Sequence, residues 1–421
     1  MSEVQKTRPT GLGIAREVGR FVSAIDSLSM TVETAMDSLV PTHKSAHKEY
    51  DAYVSKFGEV TEKDGKKRVR MKSHVHCHQF GVIERRLERI HAAQHVVPQS
   101  FLVALVSRYD ALLGGIVRVL FQLRPETLKS SERVLTFAQL VEFDSIDGAR
   151  EFVLEKEIET LLRKSHCEQF EWLEKKFDIQ IRKDLPVWPD FIEITERRNL
   201  FVHKDGTVSS QYLTACQAEG IDVAHATKGA VLGATQAYFK KAHGVLFEIG
   251  VKLAHVLWRK IAPREIEDAD HQLLYLADDL LVDEKYDLAK VVLDFADTTL
   301  GRRHATEWYR LMFLINRALV YKLSGDQDKC VQILHSQDWS ATGDAFKLAE
   351  HVLSGKFEPA AKLMRKIGAA NEPHKGDYLH SPLYSEFRKS PLFVQAFADV
   401  FGDESHEERI IVSDSSESRP N

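Results

Sequence analysis

Cysteine pairing is missing from this chain. Its four cysteines, Cys77, Cys167, Cys216 and Cys330, lie far apart, and no Cys-x-x-Cys pair occurs. This argues against a disulfide framework, fits a reducing compartment and offers no thiol chemistry. An excess of positive charge is missing too: 57 Lys and Arg face 62 Asp and Glu, for a net charge of −5 and an isoelectric point near 6.5. No global positive field holds nucleic acid, so any RNA binding rests on local basic patches. Long hydrophobic runs are absent as well. No stretch reaches the roughly 18 apolar residues of a membrane helix, and Met1-Ser2-Glu3-Val4-Gln5-Lys6 is followed by no apolar core. The expectation is a cytoplasmic chain without a membrane partner.

What is present describes a folding polypeptide. Apolar residues make up 43% and charged residues 28% of 421 positions, which argues against disorder or coiled coil throughout and sets an expectation of two or three domains. Residues 1–94 begin with a helical pattern from Ile14 that runs through Leu28 to Leu39, where Pro41 is expected to stop it. Lys56 to Met71 then reads as a β-hairpin, because Asp64-Gly65 suits a tight turn between alternating flanks.

From Pro98 a helix is expected again, with Phe101, Leu102, Leu105, Tyr109, Leu112, Leu113, Ile116, Val117 and Leu120 three and four residues apart, ending near Arg124-Pro125. A second long helix, capped by Asp147, spans Phe152 to Phe177. Trp188 to His203 forms the next, and a last helix runs from about Val223 to Ala262. Residues 95–262 thus read as a four-helix bundle. Beyond Pro263, Leu323-Ser324-Gly325-Asp326 is echoed by Leu353-Ser354-Gly355-Lys356, and Val282-Asp283-Glu284-Lys285 is a looser third copy. Repetition of a turn followed by an apolar helix predicts helical-hairpin repeats over 263–402, and residues 403–421 read as a flexible tail. The fold class expected is mainly α.

One segment carries chemistry. Glu196-Arg197-Arg198-Asn199-Leu200-Phe201-Val202-His203-Lys204-Asp205-Gly206 closes a helix, with Gly206 suited to the left-handed position past its end. Asn199 and His203 share a face, and the long Arg198 side chain can reach the same spot, while Leu200, Phe201 and Val202 can bury the other side. Metal-free RNA cleavage requires a group that moves a proton and a fixed positive charge on the phosphate. His203 and Arg198 fit those tasks.

Arg198-Asn199 followed by His203, late in a helix of a four-helix bundle, resembles the HEPN superfamily, and residues 263–402 resemble a degenerate tetratricopeptide-like array. The first resemblance implies a metal-independent endoribonuclease, of a toxin or phage-defence kind, that needs no cofactor and pairs into a homodimer or higher even oligomer. It implies Arg198 as the phosphate-binding arginine, Asn199 as the polar residue after it and His203 as the catalytic histidine. The spacing alone carries little, since Arg86–His91, Arg70–His76 and Arg89–His95 share it. The context of Asn199 and the Lys-Asp-Gly ending separates Arg198 from them. Arg197 and Lys204 beside the motif, and Lys66, Lys67 and Arg68 on the hairpin, are the expected RNA-binding cations. A charged edge strand explains the hairpin cations equally well.

Ser73-His74-Val75-His76-Cys77-His78 would point three histidines to one side of an extended chain, but matches no common zinc spacing, and no metal site is assigned. Trp188, Trp258 and Trp308 read as core. The alternative to an RNA nuclease is a non-catalytic dimeric scaffold or nucleotide-binding regulator whose helical repeats recruit a protein partner.

Overall fold

The computed structural model describes residues 10–402 except 64–65, 131–134, 184 and 225, and for residues 63, 66, 67 and 128–130 the backbone only. The chain is mainly helical, with 76% of it in helix and one two-stranded sheet, as expected. It divides into two units, Met1–Ala269 and Asp270–Asn421. The tail expected over 403–421 lies outside the described residues.

The first unit contains α1 (Leu12–Phe57), β1 (Gly58–Lys63), β2 (Lys66–Met71), α2 (His74–Leu123), α3 (Phe137–Leu140), α4 (Ile146–Leu162), α5 (His166–Phe177), α6 (Trp188–Lys204), α7 (Ser210–Ala218) and α8 (Gln236–Ile261). The first half of α1, the second half of α2, α6 and α8 pack around one core. Ile14, Val18, Phe21 and Ile25 from α1 meet Leu105, Leu113 and Val117 from α2 and Leu246, Leu253 and Leu257 from α8, all buried. Gly250 lets α8 close on this core: a Cβ there would lie 2.6 Å from Phe21 and 2.9 Å from Leu112. The unit's two ends are stitched together as well. Glu265 accepts hydrogen bonds from the Gly11 amide at 2.6 Å and the buried Trp258 indole at 3.0 Å, across 254 residues of chain in the first case.

Several boundaries differ from expectation. α1 does not stop at Pro41 but runs through it for 46 residues, and α2 does not start at Pro98 but spans it for 50. Each proline removes one backbone bond from a helix that neighbours hold in place along its length. The expected boundary at 94/95 therefore falls inside α2. The remote halves of α1 and α2 leave the core as an antiparallel pair tipped by β1 and β2, where Ala46 and Ile83 are among the few buried side chains. The expected hairpin forms, with Lys63 opposite Lys66 and Gly58 opposite Met71.

α2 also corrects the reading of the histidine triplet. Ser73 caps this helix by accepting from the His76 amide, so His74, His76 and His78 are helical and do not point one way. His76 stacks on Phe57 with ring centroids 4.1 Å apart. Among the described residues no three His, Cys, Asp or Glu side chains are grouped to hold a metal ion. Contrary to the expectation about apolar runs, α2 is long and apolar enough to cross a membrane by length and composition, and it is the one such helix among the described residues. Its apolar residues from Leu102 to Phe121 are the ones the bundle buries.

The single helix expected over 152–177 is two, α4 and α5. Ser165 and Glu168 form a capping box that starts α5 anew, and Ser145 rather than Asp147 caps α4. The last helix begins at Gln236, not near Val223. Parts of the segment between α7 and α8 pack against α6 instead: Val223 and Ala226 bury with Leu200, Val208 and Tyr212. The segment's backbone pairs with the α6 exit, Val208 donating to the Ala230 carbonyl at 2.8 Å and Leu232 to that of Gly206 at 2.9 Å.

The second unit contains α9 (Ile266–Val282), which straddles the division, α10 (Tyr286–Asp294), α11 (Glu307–Leu323), α12 (Gln327–His335), α13 (Asp344–Leu353), α14 (Phe357–Ile367), α15 (Lys375–His380) and α16 (Pro391–Phe401). Three successive helix pairs, α9/α10, α11/α12 and α13/α14, have turns at the three echoed segments. Glu284, Gly325 and Gly355 occupy the matching position and all have positive φ, at 59°, 89° and 72°. The sequence echo is thus a repeated helix–turn–helix. The division falls at 269/270 instead of 262/263. Trp188 and Trp258 are buried as expected, whereas Trp308 is 44% exposed.

Candidate functional site

α6 carries the motif. It ends because Asp205, at φ 47°, leaves the helix in the left-handed region, followed by Gly206 at φ 76°. Gly206 is required twice over, since a Cβ there would also meet the Leu232 carbonyl oxygen at 2.5 Å. Around the helix the motif residues face three different surroundings.

Arg198 faces α2. Its Nη2 donates to Asp110 Oδ2 at 3.0 Å, and the other oxygen of Asp110 lies 3.0 Å from Nε2 of the buried His166 on α5. Nε of Arg198 is buried without a hydrogen-bond partner. The Asp110 carboxylate thus holds an imidazole and a guanidinium at once, fixing the angle at which Arg198 leaves α6. Glu196 completes the cluster. Burial raises its carboxyl above the usual range, partly offset by Asn199, His166 and Arg198. The Asn199 amide is 3.5 Å from the Glu196 carboxylate.

Arg197 is committed elsewhere, which corrects its expected place among the RNA-binding cations. Its Nε donates to Glu193 at 2.7 Å, its guanidinium lies 4.2 Å from the centroid of the Tyr238 ring, and its side chain is 11% exposed. Glu193 also accepts from the hydroxyls of Tyr212 at 2.7 Å and Tyr238 at 2.6 Å. Burial and the Glu193 charge hold both tyrosine hydroxyls well above their usual range. One carboxylate with three donors ties α6 to α7 and α8.

His203 and Lys204 stand exposed at the end of α6. Leu200 is buried as expected, but Val202 is 49% exposed. Within one chain the structure therefore does not bring Arg198 and His203 into a shared cleft: a half-buried, ion-paired guanidinium and an open imidazole lie five positions apart on the helix. On the hairpin Arg68 is exposed, while the side chains of Lys66 and Lys67 lie outside the described residues. Cys167 sits beside the cluster, where burial and Glu219 push its thiol up to about 12, so it is no nucleophile at neutral pH.

Reading the sequence missed Asp110, His166, Glu193 and Glu196. Asp110 had a signal, an acid directly after Tyr109 inside a strongly apolar helical stripe, which a helix tolerates only where a cation answers it. No protein-family model, curated protein or solved structure matches the chain.

Proposed function

We propose that the first unit is a metal-independent endoribonuclease of HEPN type, working as a pair of chains whose α6 ends line a composite cleft. The observation that supports this most is the division of labour along α6. A positive group is oriented in advance by Asp110, and an exposed histidine beside Lys204 closes the helix. His203 takes the proton of the RNA 2′-hydroxyl, the freed oxygen attacks the adjacent phosphorus, the bond to the 5′-oxygen breaks, the protonated His203 returns the proton to that leaving oxygen, and a 2′,3′-cyclic phosphate remains. Arg198 of the other chain meets the charge gained by the phosphate. Asn199 orients the reacting groups, and a toxin or phage-defence role follows the same resemblance.

The test is cleavage of end-labelled RNA in EDTA, followed by analysis of the ends. His203→Ala is expected to lose about 10²- to 10⁴-fold in rate with RNA binding nearly intact, whereas Arg198→Ala weakens both. Metal-dependent cleavage, or wild-type rates from His203→Ala, would falsify the assignment. A second reading, a non-catalytic dimeric helical scaffold, is favoured by one feature: Arg198 and Arg197 both spend their charge on acids between helices. It predicts that wild-type protein leaves RNA intact while Arg198→Ala lowers the melting temperature.

A further inference from the structure

The second unit holds a cavity of about 570 Å³, within the range of ligand-binding clefts. Its walls come from α9, α11, α13 and the segment that includes α15. Three of the lining side chains are carboxylates, Asp278, Glu372 and Asp377, and none is Lys or Arg. Asp377 is partly occupied, accepting from the His374 amide at 2.7 Å. Asp278 is different. One of its oxygens accepts from Asn316 Nδ2 at 2.6 Å, and Asn316 is buried to 6% exposure, so the acid is held in one orientation. Asn316 and the neighbouring Asp279 are the groups that act on its carboxyl, and no cation is among them.

Asp278 itself is exposed on α9 where it lines the cavity, so an incoming cation reaches it without the protein opening. Crowding of Asp278, with Asp279 beside it, pushes its carboxyl up to about 6 in spite of the Asn316 hydrogen bond. Carboxyls shifted in this way and lining a cavity cluster at binding sites. The half-exposed Trp308 lines the same cavity, and its ring suits both an apolar stem and a cation over its face.

We propose that this groove binds a lysine or arginine side chain of an extended protein segment, with the cationic head at Asp278 and the stem along Trp308. The cavity's charge is complementary to that head, and its apolar walls, Leu319 and Phe346 among them, accept neighbouring side chains. The proposal is independent of the RNA-cleavage reading, since every residue it uses lies in the second unit.

An octapeptide array with randomised flanks and Lys, Arg, citrulline or Glu fixed at the centre tests this on the full-length protein. Lys- and Arg-centred peptides are expected to be retained at least tenfold over citrulline, and Asp278→Asn abolishes that preference while leaving circular dichroism unchanged. Trp308→Ala weakens retention of both cationic sets. Titration with n-butylammonium distinguishes the sources of the cation: it binds at least tenfold more weakly than the best retained peptide. Equal retention of citrulline peptides, retention unchanged by Asp278→Asn, or n-butylammonium binding as tightly as the peptides would each overturn the proposal, as would no retention at all.

Discussion

At the scale of single residues, the molecule's polar interior is organised by carboxylates. Glu193 serves three donors, and removing it strands a guanidinium and two tyrosine hydroxyls between α6, α7 and α8. Breaking a buried, hydrogen-bonded ion pair from one side costs about 3–5 kcal/mol. Glu193→Ala is therefore expected to lower stability by roughly that amount, measured by chemical denaturation, and a loss below about 1 kcal/mol shows that water replaces the network. Asp278 acts in the opposite sense. Its folded carboxyl titrates near 6 against a usual 3.8, so the native state holds this proton more tightly than the unfolded chain does. The stability from that proton is complete below about 3.8 and lost as pH rises through about 6. Asp278→Asn should melt above wild type at pH 7, the gap closing as pH falls toward 4. Asp279, Asn316, Glu372, His374, Asp377 and His380 are present in both proteins, so the difference isolates residue 278. A variant melting at or below wild type at pH 7 rejects the sign. Residues of this kind are the least legible in a sequence, because Asp110 and Glu193 look like any other acid until another helix supplies Arg198 or Tyr238. Arg198 and His203 stand out as candidates through local order, Asn199 and the Lys-Asp-Gly ending included.

At the scale of elements, Gly206 marks the exit from α6 as the sequence suggests, whereas the Ser165–Glu168 box that starts α5 passes unnoticed inside a continuous apolar stripe. Proline misled, because helix continuity at Pro41 and Pro98 is decided by the partner helix alongside and not by the residue itself. The repeat turns of the second unit offer a controlled comparison. Gly325 and Gly355 take positive φ without strain, while Glu284 takes the same conformation with a side chain. Glu284→Gly should raise stability by about 0.5–1 kcal/mol, and Gly355→Ala should lower it by about 1 kcal/mol, since nothing but backbone conformation is at stake there. A Cβ at Gly355 meets no atom within 4 Å. Thermal melts that shift both variants in one direction would show that the turn positions are not equivalent.

At the scale of the whole molecule, the mainly helical class and the echo in the second unit could be read from periodicity, whereas the first domain boundary could not. Hydrophobic spacing shows that Ile14 to Ile25 has a buried stripe but not which helix covers it, and the cover is α8, more than two hundred residues later. A fragment of residues 95–262 lacks α1 and half of α2. It should fail to fold, while residues 1–269 should give a cooperative circular-dichroism melt; a cooperative melt from the shorter fragment would show that α1 is dispensable.

The stitch of Gly11 and Trp258 onto Glu265 bears on how the protein is made. Synthesis at about 5–20 residues per second puts roughly 10–50 s between the emergence of α1 and that of its last partners. Until α8 emerges, only α2 is available to cover Ile14, Val18, Phe21 and Ile25, and the side that α8 closes stays in water. The first unit therefore cannot close until translation has passed the end of α8 and reached Glu265.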